Sequence, residues 1–341
     1  MKDGKLAVAV SGAGWAASAH AACWIKSPRA EIVAVYDIDR QKARNFVDDL
    51  ELDCKIRDSF DELTSDDNID IISISGPHHV HTEQAIAAAE AGKHVYIEKP
   101  ICLDMQENRA LRDAVKKAGV KSMVGFEARW NLSFRNIKAV LEAGAIGKPF
   151  YYEVDYWHGI HSDYTGWEWI KTKDMGRSAM LSAGCHAVDA LRWFSGQEVV
   201  EVSAFGNNTG GRFEYEANAV AILKFADGAI GKTSALFDCK MPYTFNIDIV
   251  GLEGGLRDDK IWSNKLFPGQ TDWARIPTNL LDSGDVAHHP YEPQINDFIE
   301  CILQDRESHC NVADAFYSHE LCIAIDRSIE QEGKPVKLPL Q

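Results

Sequence analysis

Between residues 5 and 125, short apolar runs alternate with stretches of helix length, and this alternation restricts the fold more than any other feature. Strands separated by helices can cover both faces of a sheet only if they run parallel, with the helices as crossovers. Residues 5–11 (KLAVAVS) form an apolar run suited to a buried parallel strand. An alanine-rich helix to about Ile25 follows, then a strand from Glu31 to Tyr36 closing on Asp37. Further helices are predicted near Arg40–Leu50, Thr82–Ala91 and Met105–Ala118, and further strands near Cys54–Ile56, Ile69–Ser75, His94–Ile97 and Lys121–Gly125. The expectation is α/β, a doubly wound parallel sheet over residues 1–125.

After residue 126 the period changes. A helix from Ser133 to Ala143 leads to a Gly147-Lys148-Pro149 turn, and long alternating strands then dominate: Phe150–Trp157, Val199–Asn207, Tyr215–Phe225, Ala229–Phe237 and Thr244–Leu252. Alternation of this kind suits an antiparallel sheet with one polar and one apolar face. Asp227-Gly228 between two of the runs is a hairpin signal. Helices are predicted at Cys185–Phe194, Gln294–Leu303 and Val312–Glu330. Residues 126–341 are therefore expected as an α+β substrate-binding and oligomerisation domain with an open, mainly antiparallel sheet.

A net charge of −15 argues against nucleic acid or an anionic membrane as partner. The eight cysteines include no CxxC pair and several sit in apolar runs, which suits reduced, buried thiols rather than a disulfide framework or a zinc site. The amino terminus carries no cleavable signal pattern and no apolar stretch reaches membrane-spanning length. The expected location is the cytoplasm.

Gly12-Ala13-Gly14-Trp15-Ala16-Ala17 fits G-x-G-x-x-G/A directly between a strand and a helix. The first glycine allows the tight turn, the second lets the backbone approach a pyrophosphate, and Ala17 permits close helix–strand packing. The helix amino terminus offers N–H groups and a favourable dipole to phosphates. Asp37 could accept both ribose hydroxyls and would repel a 2′-phosphate, favouring NAD over NADP, with Arg40 the nearby counter-argument. A Rossmann nucleotide domain is thus expected.

Three further constellations carry chemistry. Glu98-Lys99-Pro100 ends a predicted parallel strand, the edge at which open α/β sheets bind ligands, and a partly desolvated lysine can act as acid or base. Ser75-Gly76-Pro77-His78-His79-Val80-His81 follows another strand. Its histidines suggest a metal, but no Cys, Asp or Glu joins them locally, and a loop lining the nicotinamide pocket is preferred over metal binding. Gly184-Cys185-His186-Ala187-Val188-Asp189 lies in an amphipathic helix, with His186 and Asp189 on one face. His186 could exchange a proton with an alcohol, or be a core histidine satisfied by Asp189.

Taken in order, Gly12-x-Gly14-x-x-Ala17, Asp37, Pro77 with His81, Gly92-Lys93-His94-Val95, Glu98-Lys99-Pro100, Gly147-Lys148-Pro149, Gly184-x-His186-x-x-Asp189 and Gly333-Lys334-Pro335-Val336 resemble the glucose–fructose oxidoreductase / inositol dehydrogenase (Gfo/Idh/MocA) family over nearly the whole chain. The resemblance implies an active site between the two domains and hydride transfer between NAD and a secondary hydroxyl of a sugar, polyol or derivative. Lys99 and His186 would stand at the family's catalytic lysine and histidine, with His186 as the base and Lys99 hydrogen-bonding the reacting oxygen. Asp189 and Ser182 would support them. Gly12, Ala13, Gly14, Trp15, Ala16, Asp37, Gly76, Pro77, His78, His81, Glu98 and Lys99 would hold the cofactor. Relatives further imply a homodimer or homotetramer through the second sheet.

The chain departs from the family at Ser182, where many members carry an aspartate, at Gly176-Arg177-Ser178 in place of a glycine cluster, and at Gly76 and His78 for a common Thr and Asn. A serine cannot raise a histidine's basicity as a carboxylate does. The departure leaves room for a second reading, a redox-neutral NAD-dependent glycosidase working by oxidation, elimination and re-reduction. Arg177 suggests either an anionic substrate group or a surface ion pair. The aromatic segment 152–173 supplies His158, Tyr164 and Trp169 as substrate contacts, since they lie beyond the strand's regular alternation.

Overall fold

The computed structural model describes residues 4–278 and 289–341. The chain divides into two compact units, residues up to Phe126 with Tyr291–Phe316, and Glu127–Pro290 with Tyr317–Gln341. The stretch 291–316, which lies inside the span 126–341, thus belongs to the first unit. There Gln294 donates to the Val124 carbonyl and accepts from the Tyr96 hydroxyl, both bonds buried.

The first unit holds strands β1 (Leu6–Ser11), β2 (Ala30–Tyr36), β3 (Lys55–Ile56), β4 (Ile71–Ile74), β5 (His94–Ile97) and β6 (Ser122–Val124) in one sheet, ordered β3-β2-β1-β4-β5-β6. Every pair is parallel. All six residues of β1 and all four of β4 are buried, as strands covered by helices on both faces require. The helices are α1 (Trp15–Lys26), α2 (Arg40–Asp49), α3 (Asp61–Thr64), α4 (His78–Glu90) and α5 (Met105–Ala118). Asp39 caps α2 by accepting from the amides of Gln41 and Lys42, and Asp104 caps α5 through Glu107. The strand order reverses between β1 and β4, which places the Gly12 loop and Ser75-Gly76 at the switch point where such sheets take ligands.

In one respect the local prediction needs correction. Residues 78–81, expected as loop, form the first turn of α4 behind Pro77. Proline suits a helix start because its fixed φ and missing N–H cost nothing there.

The second unit opens with a short 3₁₀ turn, Glu127–Trp130, and α6 (Leu132–Glu142). Its sheet contains β7 (Pro149–Trp157), β8 (Val199–Asn207), β9 (Asn218–Phe225), β10 (Ile230–Leu236), β11 (Thr244–Gly251), β12 (Gly254–Arg257), β13 (Lys260–Ser263), β14 (Ala274–Arg275) and β15 (Val336–Lys337). The order is β14-β13-β12-β11-β7-β10-β9-β8-β15. Mainly antiparallel as expected, it has one parallel pair, β7 with β10. Parallel neighbours need a long crossover, and here it carries α7 (Trp167–Ile170), a π-helical turn (Met180–Gly184) and α8 (Cys185–Ser195) before β8 and β9. The Asp227-Gly228 hairpin forms as its composition predicts, with Gly228 at φ +90° and Asp227 accepting from the Ala229 amide. Helix α9 (Tyr291–Leu303) lies in the first unit, and α10 (Val312–Glu330) passes from the first into the second. No helix among the described residues is long and apolar enough to cross a membrane.

Candidate active site

In the first unit, Gly12 adopts φ +94°, and a Cβ there would lie 2.8 Å from the backbone of Ser75 and Gly76. Both the left-handed conformation and the close approach require glycine. At Gly14 the reason differs: a Cβ would meet nothing within 4 Å, so the missing side chain leaves open space before α1. That helix has no side-chain cap and no acidic residue in its first turn, which leaves its amide groups and dipole available to a phosphate. Trp15 is exposed, Ala16 half-buried and Ala17 fully buried. Asp37 accepts from the Ala13 amide and the Asp39 amide, each at 2.8 Å. The glycine loop and the start of α2 therefore hold this half-buried carboxylate at the end of β2. Arg40 is ion-paired with Asp58. On these observations the loop fits a dinucleotide whose ribose hydroxyls meet a carboxylate.

Around Lys99 the structure adds a residue that the sequence reading passed over. His20 of α1 is fully buried, with Nδ1 3.1 Å from Ser75 Oγ and Nε2 3.1 Å from a Glu98 carboxylate oxygen. Glu98 also accepts from the Lys99 amide at 3.0 Å. Burial alone would raise the Glu98 pKa, but His20, Lys99 and His81 together hold it below the usual carboxylate range. Glu98 is thus an ionised anchor beneath the half-buried Lys99 rather than an exposed contact. The signal for His20 was a polar residue on the buried face of an alanine-rich helix.

His81 is buried, with Nδ1 2.7 Å from the Pro100 carbonyl and Nε2 2.8 Å from the Gly76 carbonyl. It ties the turn after Lys99, which contains a cis Lys99-Pro100 bond, to the loop after β4. Burial, then the nearby His81, Lys99 and His79, push the His78 imidazole well below its usual pKa, so it is neutral. Among the described residues no group of three or more His, Cys, Asp or Glu is arranged to hold a metal ion.

In the second unit, His186 sits in the first turn of α8, 7% exposed, with Nδ1 3.9 Å from a carboxylate oxygen of Glu127. Its ring stacks on Tyr156 of β7 at 5.8 Å and 17°. Gly184 permits this placement, since a Cβ there would lie 2.8 Å from Ala235 of β10. Asp189 faces elsewhere. It accepts from Arg129 Nε and Nη2 at 2.7 and 2.6 Å and from Ser318 at 2.8 Å. Ser182, in the π-helical turn, donates to the Gly176 carbonyl at 2.5 Å.

The Tyr156 hydroxyl lies at hydrogen-bond distance, 3.1 Å, from His158 Nδ1, its pKa raised well above the phenol range by burial and then by Tyr243, Tyr164 and Glu127. His158 in turn packs against Tyr164 and Tyr243. This aromatic group runs from His186 to an open pocket of about 390 Å³ lined by His158, Gly159, His161, Cys239 and Tyr243. Trp169 stands in α7 over Gly166. Arg177, at φ +69°, lies beside Asp326. Glu127 and Tyr243 were not singled out in the sequence, although Glu127 follows the predicted strand 121–125 by two residues, where the same strand-end rule that selected Lys99 applies.

Residues 6–126 match the family described as "Oxidoreductase family, NAD-binding Rossmann fold", and residues 134–257 match the GFO/IDH/MocA C-terminal domain. A scyllo-inositol 2-dehydrogenase (NAD(+)) of Bacillus subtilis is 27% identical over 98% of this chain and 96% of its own length. A myo-inositol 2-dehydrogenase of Thermotoga maritima is 27% identical over 74% of this chain and 75% of its own. The WlbA dehydrogenase of Bordetella pertussis, solved with NADH and UDP-GlcNAcA, shares the fold at a TM-score of 0.86, with 22% identity and full coverage of both chains. With its glycine loop, Asp37 and two-sheet architecture, the chain belongs to the GFO/IDH/MocA family of NAD-binding oxidoreductases.

Proposed function

We propose that this oxidoreductase oxidises a secondary hydroxyl of a cyclic polyol, sugar or sugar derivative with NAD. The observation that carries the reading is His186, buried against Tyr156 and a carboxylate and joined through aromatic side chains to an open pocket. Bound NAD would take the hydride from carbon. The chain supplies the proton handling: His186 accepts the hydroxyl proton, and the Lys99 ammonium hydrogen-bonds the same oxygen and stabilises its developing negative charge. Glu98 and His20 fix the backbone from which Lys99 projects. His158 and Tyr164 contact substrate hydroxyls and ring faces. Asp37 selects NAD over NADP, and the pairing of Arg40 with Asp58 supports that choice.

On the outer face of the second sheet, Phe205, Val220, Ile222 and Ile230 are 68, 43, 64 and 55% exposed on three adjacent strands. An apolar stripe of this kind is covered in assemblies, and it supports a homodimer or homotetramer.

The test is a screen of NAD reduction over inositols, free sugars, uronic acids and aryl glycosides. Stoichiometric NADH from one polyol or sugar, lost in Lys99→Ala and His186→Ala, is the expected result. Aryl glycoside cleavage without net NADH would instead establish the redox-neutral glycosidase.

A further inference from the structure

The family's usual aspartate beside the histidine is Ser182 here, and its hydroxyl is bonded to the Gly176 carbonyl. The carboxylate one turn beyond His186, Asp189, is taken by the Arg129 guanidinium and Ser318. Glu127 comes from a different element, the 3₁₀ turn that opens the unit, and brings a 4% exposed carboxylate to within 3.9 Å of His186 Nδ1. We propose that Glu127 is the positioning residue for His186, supplying from that turn the negative charge that position 182 lacks.

The geometry explains how the charge is held in place. Arg129 lies two residues after Glu127 in the same turn, and Asp189 lies one helical turn after His186 in α8. Their two-pronged pair clamps the turn to the helix, which fixes Glu127 against the imidazole without Asp189 touching it. Bidentate guanidinium–carboxylate pairs set orientation as well as distance. A carboxylate facing Nδ1 selects the tautomer with its proton there and leaves Nε2 as the atom that takes the substrate proton. When the alcohol O–H proton moves to Nε2, the imidazolium formed is stabilised by Glu127, while the hydride leaves carbon for NAD. The 3.9 Å separation exceeds a direct hydrogen bond. Such contacts tighten, or are bridged by one water, when the substrate is in place.

Other groups face the pair. Tyr156 of β7 stacks on the imidazole and Cys185 precedes it in α8. Tyr243 and His158 border Tyr156. His289 Nε2 lies 3.6 Å from the second Glu127 oxygen. Of these, His158 and His289 are the imidazoles that can take up a proton, and a positive charge on His289 would weaken the hold of Glu127 on His186.

The inference rests on His186 being the base, and the experiment separates the two ideas. The ring of His186 is titrated by NMR in the full-length, NAD-bound protein, its resonance identified by loss in His186→Asn. In Glu127→Gln, which keeps shape but not charge, the midpoint is expected to fall by about one pH unit. The acid limb of kcat/KM for the polyol found in the screen should move equally, with KM changed less than kcat. Ser182→Ala should leave the midpoint where it is. Should Glu127→Gln not fold, Glu127→Asp gives the same readout with a smaller fall expected. An unchanged midpoint in the charge-removing or shortened variant overturns the inference. Full turnover by His186→Asn overturns the reading of His186 as base, whatever Glu127 does.

Discussion

Arg129 and Asp189 meet through two charge-assisted hydrogen bonds of 2.7 and 2.6 Å, both side chains under 4% exposed. Removing one partner of a buried pair strands the other charge, which costs about 3–5 kcal/mol. Arg129→Met is therefore expected to lower the urea midpoint by that equivalent. A loss below about 1 kcal/mol would show that the pair is not a structural clamp.

The two glycines of the nucleotide loop differ in why they are needed, and alanine separates the reasons. At Gly12 an added methyl meets backbone at 2.8 Å in a left-handed residue. Gly12→Ala should unfold at a lower temperature even without NAD. At Gly14 nothing stands within 4 Å, so Gly14→Ala should keep the wild-type melting temperature and lose affinity for NAD. Equal behaviour of the two in calorimetry and NAD titration would contradict the assignment of Gly14 to the pyrophosphate.

Asp37 gives a cofactor test that needs no substrate. NAD at one hundred times its dissociation constant should stabilise the protein by about 2.7 kcal/mol, with NADP giving little at the same concentration. In Asp37→Ser the gap between the two cofactors should narrow, since the repulsion of a 2′-phosphate is gone. An NADP response equal to that of NAD in the unaltered protein would defeat the proposed role.

Asp326 predicts the pH dependence. Burial pushes its carboxyl up to about 7, against hydrogen bonding by Ser178 and the charge of Arg177. The folded state therefore holds a proton that the unfolded chain releases near pH 4, and stability falls as pH rises between those values. Because the side chain is partly solvent-accessible, the effect is set at about 2 kcal/mol, half of the unscreened value. Asp326→Asn should be more stable than wild type at pH 8 and equal to it near pH 4, by urea denaturation at the two values. A variant equally stable at pH 8 would remove Asp326 as the cause.

The first sheet was legible because each strand is short, apolar and bounded by turn residues, and because parallel strands admit few topologies. The site was legible in part. Lys99, Asp37 and the glycines follow from positions relative to strand ends. His20 and Glu127 do not, because their contacts join residues far apart in sequence, and an alanine-rich helix or a 3₁₀ turn offers no periodic cue to what it touches. His81 was readable as a polar residue at a loop, but its two carbonyl partners make it a tie between backbones, a role that depends on tertiary packing. The parallel pairing of β7 with β10 was hidden for a similar reason, since alternation reports which face is buried and not which neighbour lies beside it.

That pairing has a consequence for the order of assembly. Asp155 and Ser234, hydrogen-bonded across β7 and β10, are 79 residues apart, and α8 with His186 lies in the chain between them. Contacts of such long sequence separation close slowly, because loop entropy is lost before any pairing rewards it. The contact of Tyr156 with His186, 30 residues apart, closes a shorter loop nested inside that one. The pairing of β7 with β10 is therefore expected to form after the local turns and helices it encloses.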